Sequence, residues 1–277
     1  MPMYINTNVS SLEAQRSLSS SQSALGTSFQ RLSSGMRINS AADDAAGLAI
    51  AEQMSADIRS YSMAERNTLN AVSMAQTAEG ALGHVGSILT RLRELAVQSS
   101  NGDLTATDRG YLDTEFQAMK DEITRIVDSS KFNGKDLLSG PATPIEFQVG
   151  IDNTASDRLT VDFGNVSLAS LGLATSDVAG ATATTSQASI DSVDAAINLV
   201  SGRRADFGAA LNRMQTTVAN LQSMRTNLSA AHSRIRDVDV AEESSKMART
   251  QVLTQAATTV LAQANQSPQL ALQLLKG

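Results

Sequence analysis

From Ile190 onward, apolar side chains recur in alternating steps of three and four: Ile190, Val193, Ile197, Val200, Arg204, Phe207, Leu211, Met214, Val218, Leu221, Arg225, Leu228, His232 and Ile235. Only Arg204, Arg225 and His232 interrupt the seam, and such a sustained rule predicts a helix of coiled-coil type. At 1.5 Å per residue it is a rod of roughly 70 Å. The first half follows the same rule. Ala51, Met54, Ile58 and Tyr61 begin a stripe, an Ala-rich middle weakens it, and Leu82, Val85, Leu89, Leu92 and Ala96 resume it, so residues 44–99 read as one long helix. Gly80, Gly83 and Gly86 inside it predict close backbone packing or bending, since each costs about 1 kcal/mol against Ala. Asn101-Gly102 ends the helix, and Thr105 with Asp108 forms the pattern of a capping box. Leu112, Phe116, Met119, Ile123 and Ile126 stripe the next helix, which stops before Phe132-Asn133-Gly134.

The middle changes period. Ile145, Phe147, Val149 and Ile151 alternate with polar residues, as do Leu159, Val161 and Phe163, which predicts a β-hairpin turning across DNTASD. Such a hairpin is marginal alone and needs the helices beneath it. Residues 176–189 are rich in Thr, Ala and Ser and read as a linker without pattern. The fold class is therefore mainly α, with long antiparallel helices in a coiled-coil-like bundle and a small β-hairpin in the middle. The divisions fall at 1–40 (N-terminal helix), 41–140 (first half of the bundle), 141–185 (hairpin and linker), 186–235 (long second-half helix) and 236–277 (C-terminal helix).

The two ends mirror one another. Leu18, Leu25, Phe29 and Leu32 stripe the first helix, and Val252/Leu253, Ala256/Ala257 and Val260/Leu261 recur every four residues near the end. Between Arg249 and Lys276 there is no charged side chain. The polar residues scattered through that tail make it costly to insert in lipid, and its apolar stripe argues against disorder. Burial between protein chains remains, with Leu270, Leu272, Leu274 and Leu275 continuing the apolar set. In a single chain these surfaces are sticky.

Composition narrows the chemistry. Lys and Arg number 22 against 28 Asp and Glu, so the net charge of -6 offers no footprint for nucleic acid. Aromatics are 3% of residues and Trp is absent, which suits narrow helix seams more than thick cores. There is no Cys, hence no disulfide or thiolate chemistry. The start has no basic segment followed by an apolar core, so a cleaved signal peptide is not indicated, and no run is apolar enough for membrane insertion.

Candidate sites resolve into helix signals. The acidic run Asp237, Asp239, Glu242 and Glu243 admits a metal cluster, but Asp239 three residues before Glu242 has the N-cap pattern, with acids at the positive end of the dipole. Ser40 with Asp43 reads as another helix start, and Gly35 as the end of the helix before it. His84 and His232 lie in no HExxH pattern, and GALGHVG lacks GxxxxGK[ST]. Arg204 and Arg225 either set register, meet a partner or sit solvated at the seam edge. Catalytic, metal and cofactor-binding residues are thus none.

INTNVSSLEAQ, RLSSGMRINSAADDAAGLAI, TAEGAL, RLRELAVQSSNG and KFNGKDLL resemble the N-terminal conserved region of bacterial flagellin. RADFGAALNRM, NLSAAHSRIRDVDVAEES and LAQANQSPQLALQLL resemble its C-terminal region, and together the likeness covers residues 4–140 and 190–275. The departure is MPMY ahead of INTN. The resemblance implies a filament subunit for swimming motility, exported through the flagellar type III apparatus and polymerised outside the cell under a cap. It implies terminal helices, loose in the single chain, that line a channel; long helices that form the surrounding tube; and, here, a short form lacking outer domains. Implied partners are other copies of the chain, the flagellar cap, hook-junction proteins, an export chaperone and host Toll-like receptor 5, whose recognised surface maps onto Arg91, Arg93, Glu94, Leu95 and Glu115. A hook-filament junction protein of the same axial family is one alternative. A secreted hydrolase on the same frame is another, and it requires a catalytic insertion between 140 and 190 that the sequence does not display.

Overall fold

A computed structural model describes residues 7–140, 144–180 and 182–276, with side chains described as far as residue 266. The elements run α1 (Val9–Ser34), α2 (Ala45–Ser99), α3 (Ala106–Ser129), β1 (Lys131–Phe132), β2 (Lys135–Asp136), β3 (Ile145–Gln148), β4 (Arg158–Val161), α4 (Ala183–Arg236) and α5 (Val240–Lys276). By contacts the chain divides into one unit of Met1–Ile58 with Asn227–Gly277 and another of Arg59–Thr226. The boundaries between the two units, at Ile58/Arg59 and Thr226/Asn227, lie inside α2 and α4.

The larger unit is built on heptads. Along α2 the buried positions Ala64, Thr68, Ala71, Ala75, Ala78, Leu82, Val85, Leu89, Leu92, Ala96 and Ser99 step by four and three without a break. The Ala-rich stretch is therefore as much seam as the Leu-rich one. Along α4, Val193, Val200, Phe207, Met214 and Leu221 are buried and Ile190, Ile197, Leu211 and Val218 half-buried, as the period predicts. Three ion pairs set the antiparallel register: Glu65 to Arg225 at 2.7 Å, Glu79 to Arg204 at 2.7 Å and Asp194 to Arg93 at 2.6 Å. Between the first two, small residues of α2 lie in register with Phe207, Met214 and Leu221 of α4. Small against large is how two seams fill their space at crystal-like density. Arg204 and Arg225 thus fix register.

Caps fix the ends of α3 and its approach. Thr105 and Asp108 form a complete capping box. Buried Arg109 donates from Nε to the Ser99 carbonyl at 2.9 Å and from Nη2 to the Asn101 carbonyl at 3.0 Å, so a guanidinium closes the C-terminus of α2. Such cationic donors suit the negative end of a helix.

The hairpin pairs Ile145↔Val161, Glu146↔Thr160, Phe147↔Leu159 and Gln148↔Arg158. A second, two-residue hairpin, β1–β2, turns on Asn133 (φ 49°) and Gly134 (φ 77°), the double positive φ of a type I′ turn. The sequence had shown only a helix stop there. Residues 164–180 also exceed the expected linker. Val166, Leu171, Leu173 and Val178 are buried in the same core as Phe163, whose ring centroid stands 5.4 Å from that of Phe207. Lys120 is buried beneath this segment and donates to the Ser176 carbonyl at 2.7 Å, with burial holding its pKa below the ordinary lysine value against the pull of Asp113, Asp177 and Asp121. The supposed linker then yields to α4 at Ala183, ahead of the expected start, with Ser186 and Ser189 buried. Their hydroxyls reach Ser99 and the Asp177 carbonyl, so hydrogen bonds secure a turn that has no apolar signal.

In the smaller unit α1 and α5 run antiparallel, tied at one end by Asn8 to the Ala264 carbonyl and at the other by Ser28 to Glu243. Gly35 (φ 70°) ends α1 in the left-handed conformation. The following residues zip onto the α4–α5 connector, with Arg37 N–H donating to the Arg236 carbonyl at 2.7 Å and Val238 N–H to the Gly35 carbonyl at 3.0 Å. Ser40 does not begin α2. Asp43 accepts from Ser40 and Asn39 to shape a turn, and Asp44 is the residue that caps α2 by accepting from Gly47 N–H at 2.9 Å. A run of two Asp residues divides the tasks, because the first is needed to turn the chain toward the helix. At the other connector Asp239 accepts from Ala241 and Glu242 N–H and caps α5 as expected.

Gly80, Gly83 and Gly86 leave α2 uninterrupted, and a Cβ built on any of them meets nothing within 4 Å. The expected close packing is not there within this unit.

Replacing Phe207 by Ala should destabilise the larger unit by about 4 kcal/mol, the usual cost of emptying a buried aromatic site. Urea denaturation followed by circular dichroism measures this, and a loss under about 1 kcal/mol would mean that the Phe207–Phe163 region is not close-packed.

Candidate functional site

The candidate surfaces arise where helices have more than one face to satisfy. On α1 the buried and half-buried positions include Ser11, Ala14, Leu18, Ser21, Leu25, Ser28 and Leu32, which alternate in steps of three and four, with Arg31 and Ser34 half-buried beside them in the last turn. On α5 Glu243, Met247, Thr250, Thr254, Ala257, Leu261 and Ala264 follow the same alternation, with Ser244 half-buried beside Glu243. The seam between the terminal helices thus interleaves small and hydroxyl-bearing residues with Leu18, Leu25, Leu32, Met247 and Leu261. It is pinned by Ser11 to Asn265 at 2.8 Å and by Ser28 to Glu243 at 2.6 Å.

The expected packing residues consequently separate into two groups. Leu18, Leu25, Leu32 and Leu261 belong to the seam, where each is half-buried. Phe29 (57% exposed), Val252 (63%), Leu253 and Val260 (57%) do not, and face outward with Val9, Leu12, Ile50 and Val240. Of the every-four stripe read along α5, Ala257 and Leu261 enter the seam with α1, whereas Val252, Leu253 and Val260 do not. A step of four advances about 400° at 3.6 residues per turn, so that stripe drifts away from a seam kept by threes and fours. Leu270, Leu272, Leu274 and Leu275 lie outside the residues whose side chains are described.

A second surface lies on the larger unit. Arg91 donates to Glu115 at 2.8 Å and to Glu94 at 2.9 Å, joining α2 to α3. Arg93 donates to both carboxylate oxygens of Asp194, at 2.6 and 3.3 Å, joining α2 to α4. These side chains are about half exposed. Leu95 is different: it is 1% exposed and belongs to the core, so it supports the four polar residues from beneath and presents nothing to a partner. Asp194 is the member that sequence reasoning missed. Its only signal was a place beside the seam residue Val193, and a pairing across helices 101 residues apart has no local mark. The hydrogen bond from Arg93, reinforced by its charge, holds the Asp194 carboxyl below the usual carboxylate range.

Among the described residues no group of His, Cys, Asp and Glu has a metal-binding arrangement. The acidic run near Asp239 is used in capping, while Glu243 enters the α1–α5 seam and lies 3.9 Å from Arg31. His84 is exposed on α2. No helix among the described residues is long and apolar enough to cross a membrane.

Comparisons agree with this anatomy. The family model of the bacterial flagellin N-terminal helical region matches residues 5–143, and that of the bacterial flagellin C-terminal helical region matches residues 190–275. A flagellin of Halalkalibacterium halodurans is 44% identical, with 99% of this chain and 100% of that protein covered. A flagellin of Bacillus subtilis is 42% identical, with 99% and 100% covered. A crystal structure of Bacillus cereus flagellin aligns at 35% identity with a TM-score of 0.50, covering 60% of this chain and 94% of that one.

The pairing of Arg93 with Asp194 has a measurable consequence in acid. Because the folded carboxyl titrates below its ordinary value of 3.8, its stabilising contribution is present above that value and is lost as pH falls through the lowered one. An NMR titration of the Asp194 carboxyl should show the lowered midpoint, and Arg93→Gln should return it toward the ordinary range. Identical midpoints in the two proteins would remove Arg93 as the cause.

Proposed function

The chain belongs to the bacterial flagellin family and is a flagellar filament subunit of the short form without a variable domain, and from that premise we propose how its surfaces serve polymerisation. The outward faces of α1 and α5 are the contacts between subunits. One observation carries this reading: the terminal helices pair through a seam in which Leu18, Leu25, Leu32, Met247 and Leu261 alternate with small and polar residues, and leave Phe29, Val252, Leu253 and Val260 in solvent. Each such side chain gains about 1.5–3 kcal/mol when fully buried. A filament supplies that burial by stacking identical copies through unlike surfaces, the arrangement that makes open helical polymers.

The remaining assignments follow the same logic. Paired α1 and α5 form the inner, channel-lining layer, with Leu270, Leu272, Leu274 and Leu275 extending its apolar contacts. The α2, α3 and α4 helices form the surrounding tube. Export without a cleaved signal peptide, through the flagellar type III apparatus, suits a chain with no disulfides to break. The flagellar cap, hook-junction proteins and an export chaperone are the axial partners. Toll-like receptor 5 is the host partner proposed for the exposed charged set Arg91, Arg93, Glu94 and Glu115. The junction-protein alternative is not favoured, since the full-length relatives are flagellins.

Val252→Asp combined with Val260→Asp tests the assembly surface without touching the seam. Helicity and the melting of the larger unit should match the parent, because both positions are exposed in the single chain. Filament growth seeded in purified monomer should be lost, as read by light scattering and electron microscopy. Normal filaments from this variant would refute the assignment.

A further inference from the structure

The chain holds two Asn-Gly pairs, and the fold treats them oppositely. Asn133-Gly134 occupies the centre of the I′ turn between β1 and β2, with both residues at positive φ and the flanking pairs Lys131↔Asp136 and Phe132↔Lys135 in register. Asn101-Gly102 lies in the exposed connection between α2 and α3. No acceptor among the described residues takes the Gly102 N–H, and a Cβ built there meets nothing within 4 Å. The carbonyl of that same Asn101–Gly102 peptide group, however, accepts from Arg109 Nη2 at 3.0 Å. Arg109 is itself buried and anchored through Nε on the Ser99 carbonyl at 2.9 Å.

We propose that Asn101-Gly102 is a site of spontaneous deamidation and isomerisation, activated by Arg109. The nucleophile in this reaction is the Gly102 amide nitrogen after loss of its proton. Deprotonation places negative charge on the Asn101 carbonyl oxygen by amide resonance, and a guanidinium hydrogen-bonded to that oxygen stabilises the charge. The nitrogen then attacks the Asn101 Cγ, forming a C–N bond, and the Cγ–N bond to the side-chain amide breaks; that NH2 leaves as ammonia after taking from water a proton equivalent to the one Gly102 N–H gave up. A cyclic imide results. Water opens it at either carbonyl, giving aspartate or isoaspartate; one water is consumed, one ammonia is released, and nothing is oxidised or reduced. Gly102 leaves the approach open, whereas a side chain at that position would crowd the ring.

The product bears on the local fold. A carboxylate replaces a neutral amide at the C-terminal end of α2, where the helix dipole disfavours negative charge. The isoaspartyl form also lengthens the main chain between the two carbonyls that Arg109 grips. At Asn133 the paired strands hold the turn residue in its left-handed well, and ring closure must first break that turn.

The experiment incubates the folded chain at mildly alkaline pH, with a parallel sample in concentrated urea. Peptide mass spectrometry follows the one-dalton gain at each Asn, and isoaspartyl methylation labels the isomerised product. In the folded chain Asn101 should convert several-fold faster than Asn133, and in urea the two should converge, because each precedes Gly. Gly102→Ala, which has open space and an ordinary φ, should suppress conversion at Asn101 and leave Asn133 unchanged. Folded Asn101 converting no faster than folded Asn133 would overturn the site. Conversion of Asn101 at least as fast folded as in urea supports activation by Arg109, and slower conversion in the folded chain would overturn it.

Discussion

The narrowness of the α1–α5 seam is the constraint on which the rest depends. Two helices that met through Leu and Ile at every seam position would shelter most of their apolar surface within one chain. Here Ser11, Ala14, Ser21 and Ser28 alternate with Leu18, Leu25 and Leu32 on α1, and Thr250, Thr254, Ala257 and Ala264 with Met247 and Leu261 on α5, so none of the seam's Leu or Met side chains is more than half-buried. Hydrogen bonds from Asn8, Ser11 and Ser28 decide their register in place of bulk. Such bonds contribute about 1 kcal/mol each, enough to align two helices and too little to hold them firmly. The hydrophobic driving force is left on the outside. A subunit whose ends are aligned but only weakly stabilised is one that neighbours can complete.

The larger unit solves the opposite problem, since it must hold its shape alone. Its seams are continuous over the length of α2 and α4, and the scarcity of aromatics is met by setting Phe207, Met214 and Leu221 against Ala and Thr. The three ion pairs from α2 to α4 are exposed or partly exposed, and pairs of that kind add little stability. Their worth is positional. A heptad seam with Ala at many positions tolerates sliding, because one Ala layer resembles the next, and charges placed at Glu65, Glu79 and Arg93 make a slipped register bring unlike partners together. Arg109 and Lys120 extend the principle to places where the chain leaves a helix, with each cation gathering backbone carbonyls that have no helical donor.

What the sequence made legible followed from repetition and from side chains acting on their own backbone. The α4 seam, the long span of α2, the capping box at Thr105 and Asp108, the Asp239 cap and the presence of the central hairpin all stand as read. Features that depend on partners distant in sequence did not show. Asp194 has no local mark of its link to Arg93. Ser186 and Ser189 start α4 through hydroxyl bonds, and residues 164–180 enter the core through single Leu and Val side chains without a period. Asp43 and Asp44 look interchangeable until the turn and the helix each claim one. The terminal surfaces were legible in composition but not in orientation: Leu18, Leu25, Leu32 and Leu261 belong to the seam, Phe29, Val252, Leu253 and Val260 to the outside, and hydrophobicity alone does not distinguish them.

That last ambiguity has a physical origin. A helix in a two-layer protein needs one apolar stripe, and the strongest period then identifies the buried face. A helix in the middle of a layered assembly needs two, and the stripe of larger side chains need not be the one used within the chain. On α5 the threes-and-fours set holds Met247, Thr250, Thr254, Ala257 and Leu261, so one member of two of the every-four pairs lies in it, while Val252, Ala256 and Val260 lie on the other side at 100° per residue. The weaker stripe is taken by α1 because the terminal helices belong to one chain and their effective concentration is high, so a modest seam suffices to pair them. The stronger stripe is kept for contacts between separate molecules, whose association must also offset lost translational and rotational freedom. Apolar content is thus distributed according to the entropy each contact has to overcome.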